Sequence, residues 1–301
     1  MPTITIITPC LNAAAFAAEM AESVAQQSGV SVEHLVMDGG SSDGTPDILA
    51  RFPHLRVISA ADQGSHDAMN KGLALAQGDI IGFLNTDDRY APGLLTEVVK
   101  RFAATPALDI LLARSCVLAR QGDEWRVVAR HPLCRGGGLD LDDLMYGIPC
   151  INARFFHRRV FERIGAFSLD FSFAADRHFL LRLALAGARG EVLDRLGYFY
   201  RSHAGSRTLN RAGNRAAEIG EEHIAITGAL LATPGLALEA RDALAGWRAY
   251  EELRAALRAA QAGRWRAALG HAADLSVTDL PRGCAGKLAT LSRRRQAQRA
   301  A

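Results

Sequence analysis

The sequence predicts an α/β fold: a doubly wound, mostly parallel sheet with helices on both faces, followed by a C-terminal helical appendage. Three observations predict it. Short β-branched or apolar runs alternate with helix-forming segments at intervals of about 25 residues as far as residue 105, the rhythm of strand–helix–strand units in one sheet. Three of those runs end in polar turns, Pro9–Asn12, Asp38–Asp43 and Asn85–Asp88. Beyond residue 210 the chain becomes rich in Ala, Arg, Leu and Glu at helical spacing.

Residues 3–8 (TITIIT) are β-branched and read as a buried first strand. Residues 13–27 are helix formers stopped by Ser28-Gly29. A second strand over 32–37 ends at Asp38, and the loop 39–44 leads into a helix over 46–52. A third strand covers 55–59, and a helix over 67–76 stops at Gln77-Gly78. The fourth strand, 80–84, ends at Asn85-Thr86-Asp87-Asp88, and Pro92 sits near the first turn of a helix over 92–102. Ligands of parallel sheets bind beyond the carboxyl ends of the strands, so the topology gathers the three polar turns on one rim. After residue 105 the pattern changes. Residues 108–119 and 125–130 read as strands flanking the hairpin-type turn Gln121-Gly122-Asp123. Residues 139–150 cross over, 154–167 and 174–186 read as helices, and 191–201 as extended chain.

The bulk numbers exclude several classes. With 49% hydrophobic and 22% charged residues the chain is neither disordered nor collagen-like. Its five cysteines are scattered without a C-x-x-C spacing, which excludes a zinc ribbon and a disulfide framework and fits a reducing compartment. The nine histidines form no H-E-x-x-H pattern, and neither G-x-G-x-x-G nor G-x-x-x-x-G-K-[ST] occurs. The N-terminus lacks the basic region of a signal peptide. The uncharged stretch 224–238 falls short of the roughly 20 apolar residues of a membrane span. The expectation is a cytoplasmic protein. Charge divides unevenly: residues 1–210 carry 21 Lys/Arg against 23 Asp/Glu, residues 211–301 carry 14 against 9.

Four clusters carry chemistry. Adjacent Asp87 and Asp88 at a strand end repel each other unless solvated or neutralised. A hard divalent cation, Mn²⁺ or Mg²⁺, is the usual neutraliser and is held by one or two carboxylates plus substrate phosphates. Taken alone, the pair reads equally as a turn before a helix N-terminus. In Asp38-Gly39-Gly40-Ser41-Ser42-Asp43-Gly44-Thr45 the glycines permit close backbone approach to a ligand. Asp38 can accept from a nucleobase or ribose, and Asp43 or Thr45 can cap the next helix. Asp67, Asn70 and Lys71 share a helix face, as a site or as an internal ion pair. Asp176 opens an apolar helix, either as a first-turn acid favoured by the helix dipole or as a general base.

Taken together, Thr8-Pro9-Cys10-Leu11-Asn12-Ala13, Met37–Thr45, Asp67–Gly72 and Gly82–Asp88 resemble the family 2 glycosyltransferases of the GT-A fold. Gly147-Ile148-Pro149-Cys150, Phe155-Phe156, Ile164-Gly165-Ala166-Phe167 and Ala174-Ala175-Asp176 resemble the acceptor half of the subgroup that builds bacterial exopolysaccharide and O-antigen. The resemblance covers roughly residues 3–210. It implies an inverting, hexosyltransferase-like enzyme taking a UDP-, GDP- or dTDP-sugar to a glycan or lipid-linked acceptor. It implies nucleotide-sugar contacts at Thr8, Pro9, Cys10, Asn12, Asp38, Gly39, Ser42, Asn70, Lys71 and Asp87, a divalent metal at Asp87 and Asp88, and Asp176 as catalytic base. It divides the chain into a catalytic domain, 1–210, and a helical, basic extension, 211–301. The nucleotide-binding half of the first is 1–105 and the acceptor half 106–210.

Ser65-His66, Cys150-Ile151-Asn152, Asp176-Arg177-His178 and His203-Ala204-Gly205-Ser206 depart from the subgroup's pattern. All lie on the expected acceptor or lid side, so they bear on donor and acceptor identity rather than on reaction class. Two other classes compete. A nucleotidyltransferase needs a glycine-rich, basic loop after the first strand, and residues 9–18 contain neither glycine nor a base. A sugar-nucleotide-binding scaffold has no use for Asp87, Asp88 and Asp176 together. Residues 281–301 carry six basic side chains and no acid. They read either as part of a helical unit packed on the catalytic domain or as a peripheral contact with the inner face of an anionic membrane. No motif points to nucleic acid.

Overall fold

A computed structural model of the chain describes residues 3–206 and 215–299. The opening β-branched run forms β1 (Ile4–Cys10), buried along nearly its whole length at the centre of the N-terminal half. It pairs in parallel with β2 (Val32–Asp38). β2 pairs in parallel with β3 (Leu55–Ser59). The helices α1 (Ala17–Ala25), α2 (Thr45–Leu49) and α3 (Ser65–Leu75) connect and cover these strands. α3 lies so close to the sheet that a Cβ on Gly72 would meet Ile7 Cγ2 at 2.5 Å, which explains a glycine inside that helix. β4 (Ile80–Phe83) closes the parallel block on the other side of β1. The two-residue β5 (Arg89–Tyr90) follows, and α4 (Leu94–Ala104) buries Leu94, Leu95, Val98, Val99 and Phe102, an apolar stripe of helical period.

β6 (Ile110–Gln121) and β7 (Glu124–Arg130) form the expected hairpin, with Gly122 at φ +63° in its turn. The crossing segment contains the glycine turn α5 (Arg135–Gly138) and the helix α6 (Leu141–Tyr146). The helix expected over 154–167 is instead a strand, β8 (Arg154–His157), followed by α7 (Arg159–Ile164). Phe155 and Phe156 are fully buried, and β8 runs antiparallel between β4 and β6. Two open strand edges recruit it, a long-range cause that local propensity does not report. α8 (Ala175–Leu185) leads to β9 (Gly190–Ser202), which pairs in parallel with β6 and antiparallel with β5.

The sheet order is β3-β2-β1-β4-β8-β6-β9-β5, with β7 on β6. The parallel character expected of the sheet holds through β3-β2-β1-β4 and again between β6 and β9, while β8, β7 and β5 run antiparallel to their neighbours.

Four helices complete the described chain: α9 (Ala216–Leu231), α10 (Leu238–Gln261), α11 (Trp265–Asp274) and α12 (Leu280–Arg299). The expected division at 210/211 lies outside the described residues. The hydrophobic cluster built on the sheet continues without a break into Ile226, Leu230, Leu244 and Trp247 of these helices. α12 reaches back to α6, where Arg293 Nη2 lies 2.5 Å from Asp143 Oδ1 and Lys287 Nζ lies 3.3 Å from the Tyr146 carbonyl. Among the described residues no helix is long and apolar enough to cross a membrane.

Candidate active site

Hydrogen bonds tie the three strand-end turns into one rim. The Thr86 hydroxyl donates to the Pro9 carbonyl at 2.7 Å, and Gly39 N–H donates to the Cys10 carbonyl at 2.8 Å. Asn12, in the left-handed region at φ +48°, receives Ser42 N–H on its Oδ1 at 2.9 Å, and its own N–H donates to Ser41 Oγ at 2.8 Å. Asn is the residue after glycine that best tolerates this backbone. The Thr8 hydroxyl points inward, 3.0 Å from His34 Nε2. The Cys10 thiol is buried, and that burial pushes its pKa up to about 11, so it is an unreactive thiol.

Several residues expected to face a nucleotide are committed within the protein. Asp38 is 4% exposed; its carboxylate accepts from Ser41 N–H and Oγ and from Ser59 Oγ at 3.0 Å. Gly39 gives room to a different acid: a Cβ there would meet Asp62 Oδ2 at 2.6 Å. Asn70 bonds both backbone groups of Phe167, at 2.9 and 3.1 Å. Lys71 Nζ donates to the Ala61 carbonyl at 2.7 Å and pairs with Asp67 at 2.8 Å. Asp67 is held below the ordinary carboxylate range by that lysine and by Gln63 N–H.

The two adjacent aspartates face opposite ways. Asp88 is fully buried; one oxygen accepts from the Tyr198 hydroxyl and the other from Arg201 N–H at 2.7 Å. Burial first, then the charge of Asp87, drive its pKa well above the ordinary value. Asp87 stays accessible, with His203 Nε2 3.0 Å from its Oδ2. Because His203 Nδ1 accepts from Gly205 N–H at 3.2 Å, its proton sits on Nε2 and points at Asp87. The sequence places His203 in a loop on the acceptor or lid side that departs from the subgroup's pattern, and the structure brings that loop against Asp87.

A cavity of about 350 Å³ opens beside this rim. Asn85 of the Asn-Thr-Asp-Asp turn and Asp176 at the start of α8 both line it, together with His66 and Asn152. Asp176 Oδ1 accepts from Arg177 N–H at 2.7 Å. Burial raises its pKa, against the opposing charges of His66 and Arg177. Arg177 itself is buried, with its guanidinium on the carbonyls of Leu144, Met145 and Gly147, and it lies 5.9 Å from the Trp247 ring.

The segment leading into α8 is anchored from the C-terminal helices. Glu222 of α9 accepts from Ser172, Phe173 and Ala174 N–H at 2.8–3.0 Å. Glu222→Ala leaves these donors without their acceptor and is expected to cost about 1–2 kcal/mol of stability in urea unfolding. Glu222→Gln, which keeps one acceptor oxygen, is expected to recover part of that loss.

Among the described residues no group of three or more His, Cys, Asp and Glu side chains forms a ready-made metal cage. Asp87 with its His203 neighbour nevertheless suits a divalent ion of the kind that takes one carboxylate and completes its shell from substrate phosphates and solvent.

A parallel sheet continued by mixed strands, with an acidic turn and the carboxylate of Asp176 beside one cavity, is the GT-A arrangement. The family model described as "Glycosyl transferase family 2" matches residues 5–165, and the chain belongs to that family. It is similar to a PGL/p-HBAD biosynthesis glycosyltransferase of Mycobacterium bovis, 34% identical over 188 residues, which are 60% of this chain and 69% of that one. Its fold is similar to that of S. aureus TarS 1-349 in complex with UDP-GlcNAc, with TM-score 0.70, 18% identity, and 98% and 92% of the two chains covered. It spans 43% of the longer TarS chain. It is also similar to the mannosyltransferase PcManGT of Pyrobaculum calidifontis in complex with GDP-Man and Mn²⁺, with TM-score 0.59, 20% identity, and 97% and 87% covered.

Proposed function

We propose that the chain is an inverting glycosyltransferase that moves a hexosyl unit from a UDP-, GDP- or dTDP-sugar to a hydroxyl of a glycan or lipid-linked acceptor. One observation carries the reading: a single cavity joins Asn85 of the acidic turn to the half-buried Asp176, whose pKa desolvation raises. Asp176 takes the proton of the acceptor hydroxyl as its oxygen attacks the anomeric carbon, and the bond from that carbon to the diphosphate oxygen breaks on the opposite face. The nucleoside diphosphate leaves with the bonding pair. Asp87, oriented by His203, would hold a divalent ion, Mn²⁺ or Mg²⁺, which when bound neutralises the departing diphosphate. Asp88, with both oxygens engaged, acts in this reading as the post that fixes Asp87. Asp38, Asn70 and Lys71 shape the nucleotide-binding rim through the contacts they already make. Thr8, Pro9, Cys10, Asn12, Gly39 and Ser42 supply its backbone surface. The PGL/p-HBAD relative and the UDP-GlcNAc and GDP-Man complexes support a sugar-nucleotide donor.

The basic C-terminal helices take a second role in this proposal. Trp265, Leu269, Val277 and Leu288 are exposed on a stretch of chain that also carries the exposed Arg266, Arg282 and Arg295, a combination suited to an anionic lipid surface carrying the acceptor.

A thermal-shift panel of UDP-, GDP- and dTDP-sugars, each with Mg²⁺ or Mn²⁺, tests the reading. One donor is expected to stabilise the fold by about 2.7 kcal/mol at a hundred times its Kd. If no sugar nucleotide moves the melting temperature, the proposal fails.

A further inference from the structure

Asp176 is the second residue of α8, so its place in the cavity is set by the chain that enters that helix. Ser172, Phe173 and Ala174, which lead into α8, line the same cavity. Their backbone N–H groups converge on one carboxylate, that of Glu222 in α9. Ser172 N–H donates to its Oε1 at 2.8 Å, and Phe173 and Ala174 N–H donate to its Oε2 at 3.0 and 2.8 Å. Successive N–H groups turned to one side form an anion-binding concavity, and here the anion is the protein's own. Hydrogen bonds to a carboxylate are about twice as strong as those between neutral groups. Ala174, 2% exposed, carries the hold into α8: its carbonyl accepts from His178 N–H at 2.9 Å, the bond that starts the helix.

The same helix grips the segment a second time. Arg215, at the N-terminal end of α9, places its guanidinium 4.8 Å from the centre of the Phe173 ring. Arg215, Ile219 and Glu222 follow the i, i+4, i+7 spacing of one helix face, and Ile219 also lines the cavity. His223, next to Glu222 and on the cavity wall too, lies with its Nδ1 3.1 Å from Glu251 Oε1, which fastens α9 to α10. On the other side, Asn70 of α3 holds Phe167. The chain between Phe167 and α8 is therefore fixed at both ends.

We infer that Glu222 is a positioning residue for the transfer step: by fixing Ser172–Ala174 it aims the Asp176 carboxylate at the acceptor hydroxyl. The inference rests on the transferase reading above. Glu222 and the segment it holds both lie beyond the family match, which ends at residue 165. A misplacement of about 1 Å in a reacting group can cost about 100-fold in rate. The nucleotide-side rim is held by bonds of its own, so loosening this segment acts on turnover and spares donor binding.

The test measures nucleoside diphosphate release by the full chain. It uses the donor chosen by the thermal-shift panel and a chloroform–methanol extract of bacterial envelope lipids as the acceptor probe. Glu222→Ala is expected to lower kcat about 30-fold and to keep the half-saturating donor concentration within about twofold. Glu222→Gln, which keeps one acceptor oxygen, is expected to lower kcat only about threefold. Desolvation raises the Asp176 pKa against the charges of His66, Arg177 and Arg154. A loosened segment admits water, so the acid limb of kcat/KM is expected at lower pH in Glu222→Ala than in the wild type. A side chain that only props the fold leaves that limb in place. The inference is overturned if Glu222→Ala keeps kcat within about twofold, if its donor constant rises in step with the fall in kcat, or if kcat falls with the acid limb unmoved. Should Glu222→Ala not fold, Glu222→Gln decides alone. A kcat lowered at least twofold with the limb at lower pH upholds the inference, and an unchanged kcat or limb overturns it. A wild type that releases nothing with or without extract overturns the transferase reading itself, and the inference with it.

Discussion

Asp176→Asn is expected to lower the rate of sugar transfer by about 100- to 10,000-fold, the span that a positioned general base contributes. The amide keeps the volume of the side chain and its place at the start of α8, so the donor-induced thermal shift is expected to keep its size. A pH profile gives an independent reading. The base works only when ionised, and burial raises its pKa above the ordinary carboxylate value. The acid limb of kcat/KM in the wild type is therefore expected above about pH 4, with the rate falling as pH drops through it. Transfer by Asp176→Asn at the wild-type rate would remove Asp176 from the reaction.

Asp87 and Asp88 are expected to separate in the second experiment. Asp87→Asn should reduce kcat/KM by about 100-fold, equivalent to about 2.7 kcal/mol of transition-state stabilisation. It should also abolish the stimulation that Mn²⁺ or Mg²⁺ gives the wild type, and leave the melting temperature almost unchanged. Asp88→Ala should do the reverse in its first effect: it strips partners from the Tyr198 hydroxyl and from Arg201 N–H inside the core. Its expected cost is about 2–3 kcal/mol of stability. Titrating the metal against both variants and following activity alongside unfolding checks the pair. Equal loss of metal response at equal stability would return both carboxylates to one shared role.

The parallel block of the fold is legible in the sequence because its cause is local. β-branched runs, helix stops and polar turns fall at regular intervals, and a parallel sheet follows from them with few alternatives. The Asn-Thr-Asp-Asp turn and Asp176 are legible for a similar reason, since acids at a strand end and at a helix start stand out against apolar neighbours. β8 is hidden because Arg-Phe-Phe-His carries no period of its own and is a strand only between β4 and β6. The direction of a side chain is hidden too. Asp38 looks like a ligand-binding acid at a strand end, yet Ser41 and Ser59 turn it inward. Asp87 and Asp88, identical neighbours on paper, face solvent and core respectively. Glu222, His223 and Glu251 belong to helices that read as a basic amphipathic tail.

The clasp of Arg177 has a consequence for how this enzyme can be taken apart or recombined. Its guanidinium fastens α6 to α8 at the residue next to Asp176, and its outer face rests toward Trp247, a side chain contributed from far along the chain. Truncation near residue 206 would bare that contact and the three N–H groups that Glu222 holds. Swapping C-terminal helices between relatives would therefore change the setting of Asp176 along with the tail. In a chimera library, activity is expected to survive only at crossover points that keep Arg177, Glu222 and Trp247 from one parent. The helical end of the chain packs on the segment that carries Asp176.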